Sequence, residues 1–181
     1  PPYFARGSGH NAKGQYSERA DDYGNNLDRL AKKFETARTL VAQPDIQWNP
    51  QATVGFIAYG TSHFSVEESR DQLRDERQIQ TSYYRLRAFP FAASLNEFFD
   101  RHDRVYVIEQ NRDGQMAALM RLELTPERLA KLRNVLHYNG LPIDARSITD
   151  DVLVQEGLRP PIPAAMKHSM VGGTPAAGAG E

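Results

Sequence analysis

VYVIEQNRDGQMAALMR, residues 105–121, decides how the fold is read. An apolar run ends in a carboxylate, two amides and a glycine, and amphipathic helical spacing follows at once. Residues 104–109 have the pattern of a buried strand and 113–122 that of a helix. Glu109, Gln110, Asn111 and Gln115 therefore fall at the carboxyl end of a strand, where open α/β sheets place ligands and partners.

The flanking sequence repeats the theme. TVGFIAY, residues 53–59, reads as a second buried strand. Gly60, Thr61 and Ser62 make a turn, and 65–77 a helix. SYYRLRA, residues 82–88, is a further strand. It breaks at Pro90, and 93–102 follows as a helix with Leu95, Phe98 and Phe99 inward. Thr125 and Pro126 suit the N-cap and first residue of a short helix. A strand over 134–138, the Asn139–Gly140 turn and a helix over 145–155 complete the pattern. Strands alternating with helices predict an α/β fold, with a small, mostly parallel sheet and right-handed crossovers.

Outside residues 53–155 the composition changes. Residues 1–15, rich in Gly, Ser, His and Asn, read as a lead-in loop. Residues 16–52 read as a connecting helix and linker. Tyr16, Tyr23, Leu27, Leu30, Phe34, Ala37 and Val41 form one apolar stripe on that helix. Gly24, beside Asn25 and Asn26, is its expected weak point. Residues 156–181 collapse into Pro, Gly and Ala and read as a flexible tail. The absence of Met at the start is what a processed product or a piece of a longer chain would show.

The 181 residues are one domain's worth plus extensions, and the formal charge of −1 points to neither nucleic acid nor an acidic membrane surface. No apolar run has the length of a membrane span, and a cytoplasmic protein is expected. With no cysteine, disulfides, a cysteine nucleophile and cysteine-held iron–sulfur clusters are excluded from this chain. His10, His63, His102, His137 and His168 show no metal spacing.

Three stretches are candidate sites. The Gly60, Thr61, Ser62 turn exposes N–H groups that suit a phosphate or carboxylate, but ordinary helix capping is the preferred reading. EQNRDGQ, residues 109–115, gathers hydrogen-bonding groups that recognise well and move protons poorly. No His or Lys stands beside Glu109 in sequence to support a base. Binding and interface roles weigh equally there, both above catalysis. Arg6, His10, Lys13 and Arg19 suit an anionic cofactor, against the preferred reading of a solvated loop. EESRDQLRDER, residues 67–77, reads as a solvated helix face with Glu67–Arg70 and Asp71–Arg74 pairs.

Four segments in register, VGFIAYGTS (54–62), YYRLRAFPF (83–91), VYVIEQNRDGQ (105–115) and NGLPIDARSIT (139–149), closely resemble the carboxyl-terminal part of the alpha subunit of 2-oxoacid:ferredoxin oxidoreductases. Within that family the resemblance points to the 2-oxoglutarate enzymes. RGSGHNAKGQYSE (6–18) and NNLDRLAKKFETA (25–37) resemble the connection before that domain, so the likeness covers roughly 6–155.

The resemblance implies a transketolase carboxyl-terminal-like fold. It implies service in an enzyme that oxidatively decarboxylates a 2-oxoacid with coenzyme A and reduces ferredoxin, using thiamine diphosphate, Mg and iron–sulfur clusters. The gamma domain and the pyrimidine-binding domain of a whole alpha subunit are absent, so this chain alone is expected to be inactive. No catalytic or metal-binding residue can be placed on it, and no cofactor is assigned to it alone. The implied partners are the beta subunit and the rest of the alpha subunit, with ferredoxin and coenzyme A at the level of the complex. Glu109, Asn111, Gly114 and Gln115 are the first choice for a contact surface. Arg6 and His10 come second, as residues near the assembled active site. Two other readings stand beside this one. One is a stand-alone module binding an anion or a protein. The other is the equivalent domain of a transketolase or 2-oxoacid dehydrogenase, against which EQNRDGQ and NGLPI argue.

Overall fold

The apolar runs become the centre of a five-stranded sheet. The computed structural model describes residues 9–161, and the chain divides into two compact units. One holds the chain up to Gln43 together with Ala88–Ala93; the other holds Pro44–Arg87 and the chain from Ser94 onward.

In the larger unit the strands are β1 (Asp45–Gln47), β2 (Val54–Tyr59), β3 (Thr81–Leu86), β4 (Arg104–Glu109) and β5 (Leu132–Leu136), in the order β1-β3-β2-β4-β5. The β3-β2, β2-β4 and β4-β5 pairings are parallel, and β1 pairs antiparallel with β3. Five of the six residues of β2, and five of the six of β4, are buried. Such continuous burial needs cover on both faces of the sheet, which parallel crossovers supply.

Two helices of the smaller and larger units carry the longest spans, α1 (Ala20–Leu40) and α2 (Ser62–Arg77); α3 (Ser94–Arg101), α4 (Gln115–Arg121), α5 (Pro126–Leu129) and α6 (Ala145–Gln155) complete the set. Alternate strand residues Phe56, Tyr83, Tyr106 and Ile108 pack with Val66 and Leu73 of α2 and Ile148 and Val152 of α6. The opposite face receives α3. There Gly55 is required by space: a Cβ on it would lie 2.5 Å from Cε1 of the buried Phe98.

Helix ends are closed by their own residues. Asp144 accepts the N–H of Ser147 at 2.8 Å and caps α6. Gln78, at φ 58°, ends α2 with its N–H on Arg74 O at 3.0 Å. Gly157, at φ 73°, lets Leu158 N–H return to Leu153 O at 2.9 Å. Arg159 then pairs with the buried Asp150 of α6. The first residues of the expected flexible tail are thus tied to the sheet unit, and the rest of that tail lies outside the described residues.

Several expectations are corrected. Residues 45–47, read as linker, are an edge strand, because their backbone completes β3. The last strand starts at Leu132 and not at 134. Helix α2 begins at Ser62, directly after the Gly60 turn, and not at 65. Arg70 does not form the expected pair with Glu67. It turns inward to Thr81, donating to Oγ1 at 3.0 Å and to the carbonyl at 3.1 Å, and its guanidinium lies 5.5 Å from the Tyr83 ring centroid. The Asp71–Arg74 pair forms at 2.6 Å.

In the smaller unit, α1 runs through Gly24 without interruption and contains no buried residue. It starts at Ala20, so Tyr16 lies before it, in an isolated bridge with His10. Asp21 and Asp22 in the first turn and Arg38 in the last suit the helix dipole. Arg38 also donates to the carbonyl of Phe91 in the Ala88–Ala93 segment. No helix among the described residues is long and apolar enough to cross a membrane.

Candidate functional site

The chain leaves β2 toward β3 on one side and later places β4 on the other. The carboxyl ends of β2 and β4 therefore flank a topological switch point, the position at which open α/β sheets form a ligand crevice. Two of the sequence candidates meet there: the turn Gly60, Thr61, Ser62 after β2, and Glu109–Gln115 after β4.

Glu109 is fully buried. Its Oε1 accepts the N–H of Ala117 at 3.0 Å, and its Oε2 accepts the N–H of Met116 at 2.7 Å and Asn111 Nδ2 at 2.9 Å. The Tyr59 hydroxyl stands 3.5 Å from the same Oε2. Burial, and then the charge of Glu109, push the Tyr59 phenol above its ordinary value. The carboxylate satisfies first-turn donors of α4 and offers no surface to a second molecule.

Asn111 shapes the loop. Its Oδ1 accepts from Asp113 N at 3.1 Å and Gln115 N at 3.3 Å, an Asx-type turn. Gly114 sits at φ 62°, and a Cβ there would meet Asn134 Nδ2 at 3.2 Å. Gln115, at the helix start, is exposed.

Gln110 joins the two loops. Its Nε2 donates to Ser62 Oγ at 3.0 Å and Thr61 Oγ1 at 3.3 Å, while its Oε1 accepts the N–H of Ile143 at 3.2 Å. Ser65 Oγ donates to Ile143 O at 2.7 Å. One amide side chain thus bonds groups of the kind that would hold a ligand at a switch point. Thr61 and Ser62 serve it and make no side-chain cap to α2.

The described part of the second-choice pair, His10, belongs to the unit of α1, where its Nδ1 lies 2.8 Å from Asn11 O. Arg6 lies outside the described residues. Sequence reasoning missed three exposed apolar side chains on the segments that Gln110 and Ser65 tie together: Phe64, Tyr138 and Leu141, at 74%, 53% and 47% exposure. Phe64 had a signal, since it lies off the inward stripe of Val66, Ser69 and Leu73. Aromatic and aliphatic anchors amid amides are the composition of a protein contact. Among the described residues no group of three His, Asp or Glu could hold a metal ion.

The chain aligns in fold with a solved protein. The 2-oxoglutarate:ferredoxin oxidoreductase from Magnetococcus marinus, solved with 2-oxoglutarate, coenzyme A and succinyl-CoA bound, aligns at a TM-score of 0.72 and 19% identity over 87% of this chain. The fold is shared. The five-stranded, mostly parallel sheet is that expected of a transketolase carboxyl-terminal-like domain. This chain spans 27% of the length of that oxidoreductase chain. The alpha chain of a probable 2-oxoacid ferredoxin oxidoreductase from Thermoplasma acidophilum aligns over 64% of this chain and 97% of its own, at 19% identity and a TM-score of 0.40. No protein-family model and no curated protein matches the sequence.

Proposed function

We propose that this chain is the carboxyl-terminal domain of the alpha subunit of a cytoplasmic 2-oxoacid:ferredoxin oxidoreductase. Its work is structural. It supports thiamine-dependent oxidative decarboxylation of a 2-oxoacid, with 2-oxoglutarate first, to an acyl-CoA with reduction of ferredoxin. The observation that carries this reading is the filled switch point. Gln110 bonds Ser62 and Ile143 across it, and buried Glu109 is bonded on both oxygens to the chain's own N–H groups. Chemistry is assigned to the other subunits, and this face to contact with them.

With no cysteine, this chain supplies no thiolate to an iron–sulfur cluster. The reading assigns the cluster, Mg and thiamine diphosphate to the beta subunit and to the rest of the alpha subunit. Gln115, Phe64 and Tyr138 are the exposed contact groups.

The complex purified from native cells through this chain is expected to contain a thiamine diphosphate-bearing subunit and iron, and to reduce ferredoxin with 2-oxoglutarate and coenzyme A. A Gln115→Lys/Phe64→Ala variant is expected to lower the yield of that complex about tenfold. A purified assembly without thiamine diphosphate and without 2-oxoacid-dependent reduction overturns the proposal.

A further inference from the structure

The connection from β5 to α6 holds a pair of residues that can react with each other. Asn139 is followed by Gly140, and no other asparagine of the chain precedes a glycine. From His137 to Asp144 the chain is in neither strand nor helix. The main-chain nitrogen after an asparagine can attack the side-chain carbonyl carbon. Glycine hinders that approach least, because it has no Cβ.

The turn favours the attack. Gly140 is exposed, at φ 86°, and a Cβ on it would meet nothing within 4 Å. Space is therefore open for a ring to close and for water to open it. Among the described residues no acceptor meets the Gly140 N–H, so no internal bond must break before its proton is lost to water. The Asn139 amide is held in place, with Oδ1 accepting the N–H of Leu141 at 3.0 Å. That bond polarises the carbonyl and stabilises the negative charge the oxygen gains when its carbon is attacked.

The other asparagines lack this combination. Asn25 and Asn26 lie in α1, Asn96 in α3 and Asn134 in β5, where regular structure fixes the main chain. Asn49 precedes Pro50, which has no N–H. Asn11 and Asn111 precede Ala12 and Arg112, whose Cβ atoms crowd the nitrogen.

We infer that Asn139 is a self-modification site. The Gly140 nitrogen loses its proton to water and bonds to Cγ of Asn139. The bond from Cγ to the side-chain amide nitrogen breaks, and that nitrogen leaves with a proton as ammonia. A succinimide ring remains, and water opens it. Cleavage at Cγ leaves aspartate. Cleavage at the main-chain carbonyl leaves isoaspartate, with the chain running through the former side chain. Water is the co-reactant, and nothing is oxidised or reduced. Either product sets a carboxylate between Tyr138 and Leu141, which are 53% and 47% exposed. Isoaspartate also lengthens the main chain leading to Ile143, whose N–H is accepted by Gln110 at 3.2 Å. The inference is independent of the oxidoreductase reading and is tested on the purified chain alone.

The whole 181-residue chain is incubated at mildly alkaline pH beside a synthetic peptide of residues 136–143. Peptide mapping by mass spectrometry follows Asn139, and labelling by isoaspartyl methyltransferase separates the two acids. Conversion at Asn139 in the folded chain is expected within about tenfold of the peptide rate, and at least about tenfold faster than at any other asparagine. Gly140→Ala is expected to slow it at least about tenfold. The same substitution in the peptide, which has no fold to lose, is expected to give a similar slowing. A folded chain that converts at Asn139 more than about tenfold slower than the peptide overturns the inference. So does faster conversion at another asparagine, or a Gly140→Ala rate equal to the parent's.

Discussion

The carboxylate of Glu109 accepts the main-chain N–H of Ala117, eight residues later, at 3.0 Å. With its second oxygen on Met116 N at 2.7 Å, one side chain clamps the end of β4 to the start of α4. Glu109→Gln keeps the shape but points an amide N–H at a backbone N–H. The expected loss of stability is about 1–3 kcal/mol, and Glu109→Ala is expected to lose more. Urea denaturation measures both. A change under about 0.5 kcal/mol in the Ala variant would mean that the loop is not held as described.

Glycine positions separate backbone strain from crowding. Gly60 and Gly114 have nearly the same φ, 61° and 62°, but a Cβ on Gly60 meets nothing within 4 Å and one on Gly114 meets Asn134 at 3.2 Å. Gly60→Ala is expected to lose about 1 kcal/mol from the left-handed backbone alone, and Gly114→Ala more. Gly55→Ala has no such strain and yet is expected to lose about 1–3 kcal/mol, because the Phe98 ring has no room to retreat. Thermal unfolding of the three variants gives the order. Gly60→Ala as the worst would contradict it.

Parts of this architecture were legible in the sequence and parts were not, for physical reasons. Strands β2 and β4 announce themselves because both faces are buried, so nearly every residue is apolar. The stripe of α1 is legible for the same kind of reason, a fixed period. Strand β1 is not, since Asp45 and Gln47 are exposed and only half-buried Ile46 turns inward; its pairing with β3 makes it a strand. Glu109 and Asn111 could be placed at a strand end. That their polar atoms bond their own loop could not be read, because it depends on how the chain returns into α4. The Gln110 bonds to Thr61 and Ser62 span 49 and 48 residues, beyond any local pattern.

Those long-range bonds make Gln110 a positioning residue with a defined signature. Gln110→Ala leaves the buried Ile143 N–H without its acceptor. Hydrogen exchange at Ile143 is expected to quicken about tenfold or more, the equivalent of roughly 1.4 kcal/mol. Gln110→Glu retains an acceptor for Ile143, and the hydroxyls of Thr61 and Ser62 can turn to donate, so exchange there is expected to return toward the parent rate. Equal exchange in all three proteins would remove the clamp from the site.

His102 gives the sheet unit a pH dependence with a definite sign. It is buried, with Nδ1 2.7 Å from Phe98 O, so that nitrogen carries the proton and donates. The single tryptophan, Trp48, stacks on it at 6.3 Å with an interplanar angle of 3°, and the Arg101 guanidinium lies 4.5 Å from the Trp48 ring. Burial lowers the His102 pKa below its ordinary value; the Phe98 hydrogen bond opposes this, and the charges of Lys131 and Arg101 reinforce it. The folded state therefore binds this proton less readily than the unfolded chain, whose histidine titrates near about 6.5. Below that pH the unfolded state takes up the proton first, and stability falls as pH drops toward the folded pKa; above it the contribution is fully present. Melting temperature is expected to be lower at pH 5.5 than at pH 7.5, and His102→Leu is expected to shrink that difference. Trp48 fluorescence is expected to report the same titration, because a charged imidazolium beside the indole alters its emission. A melting temperature that rises on going from pH 7.5 to 5.5, with the rise abolished by His102→Leu, would reverse the sign and refute the burial argument.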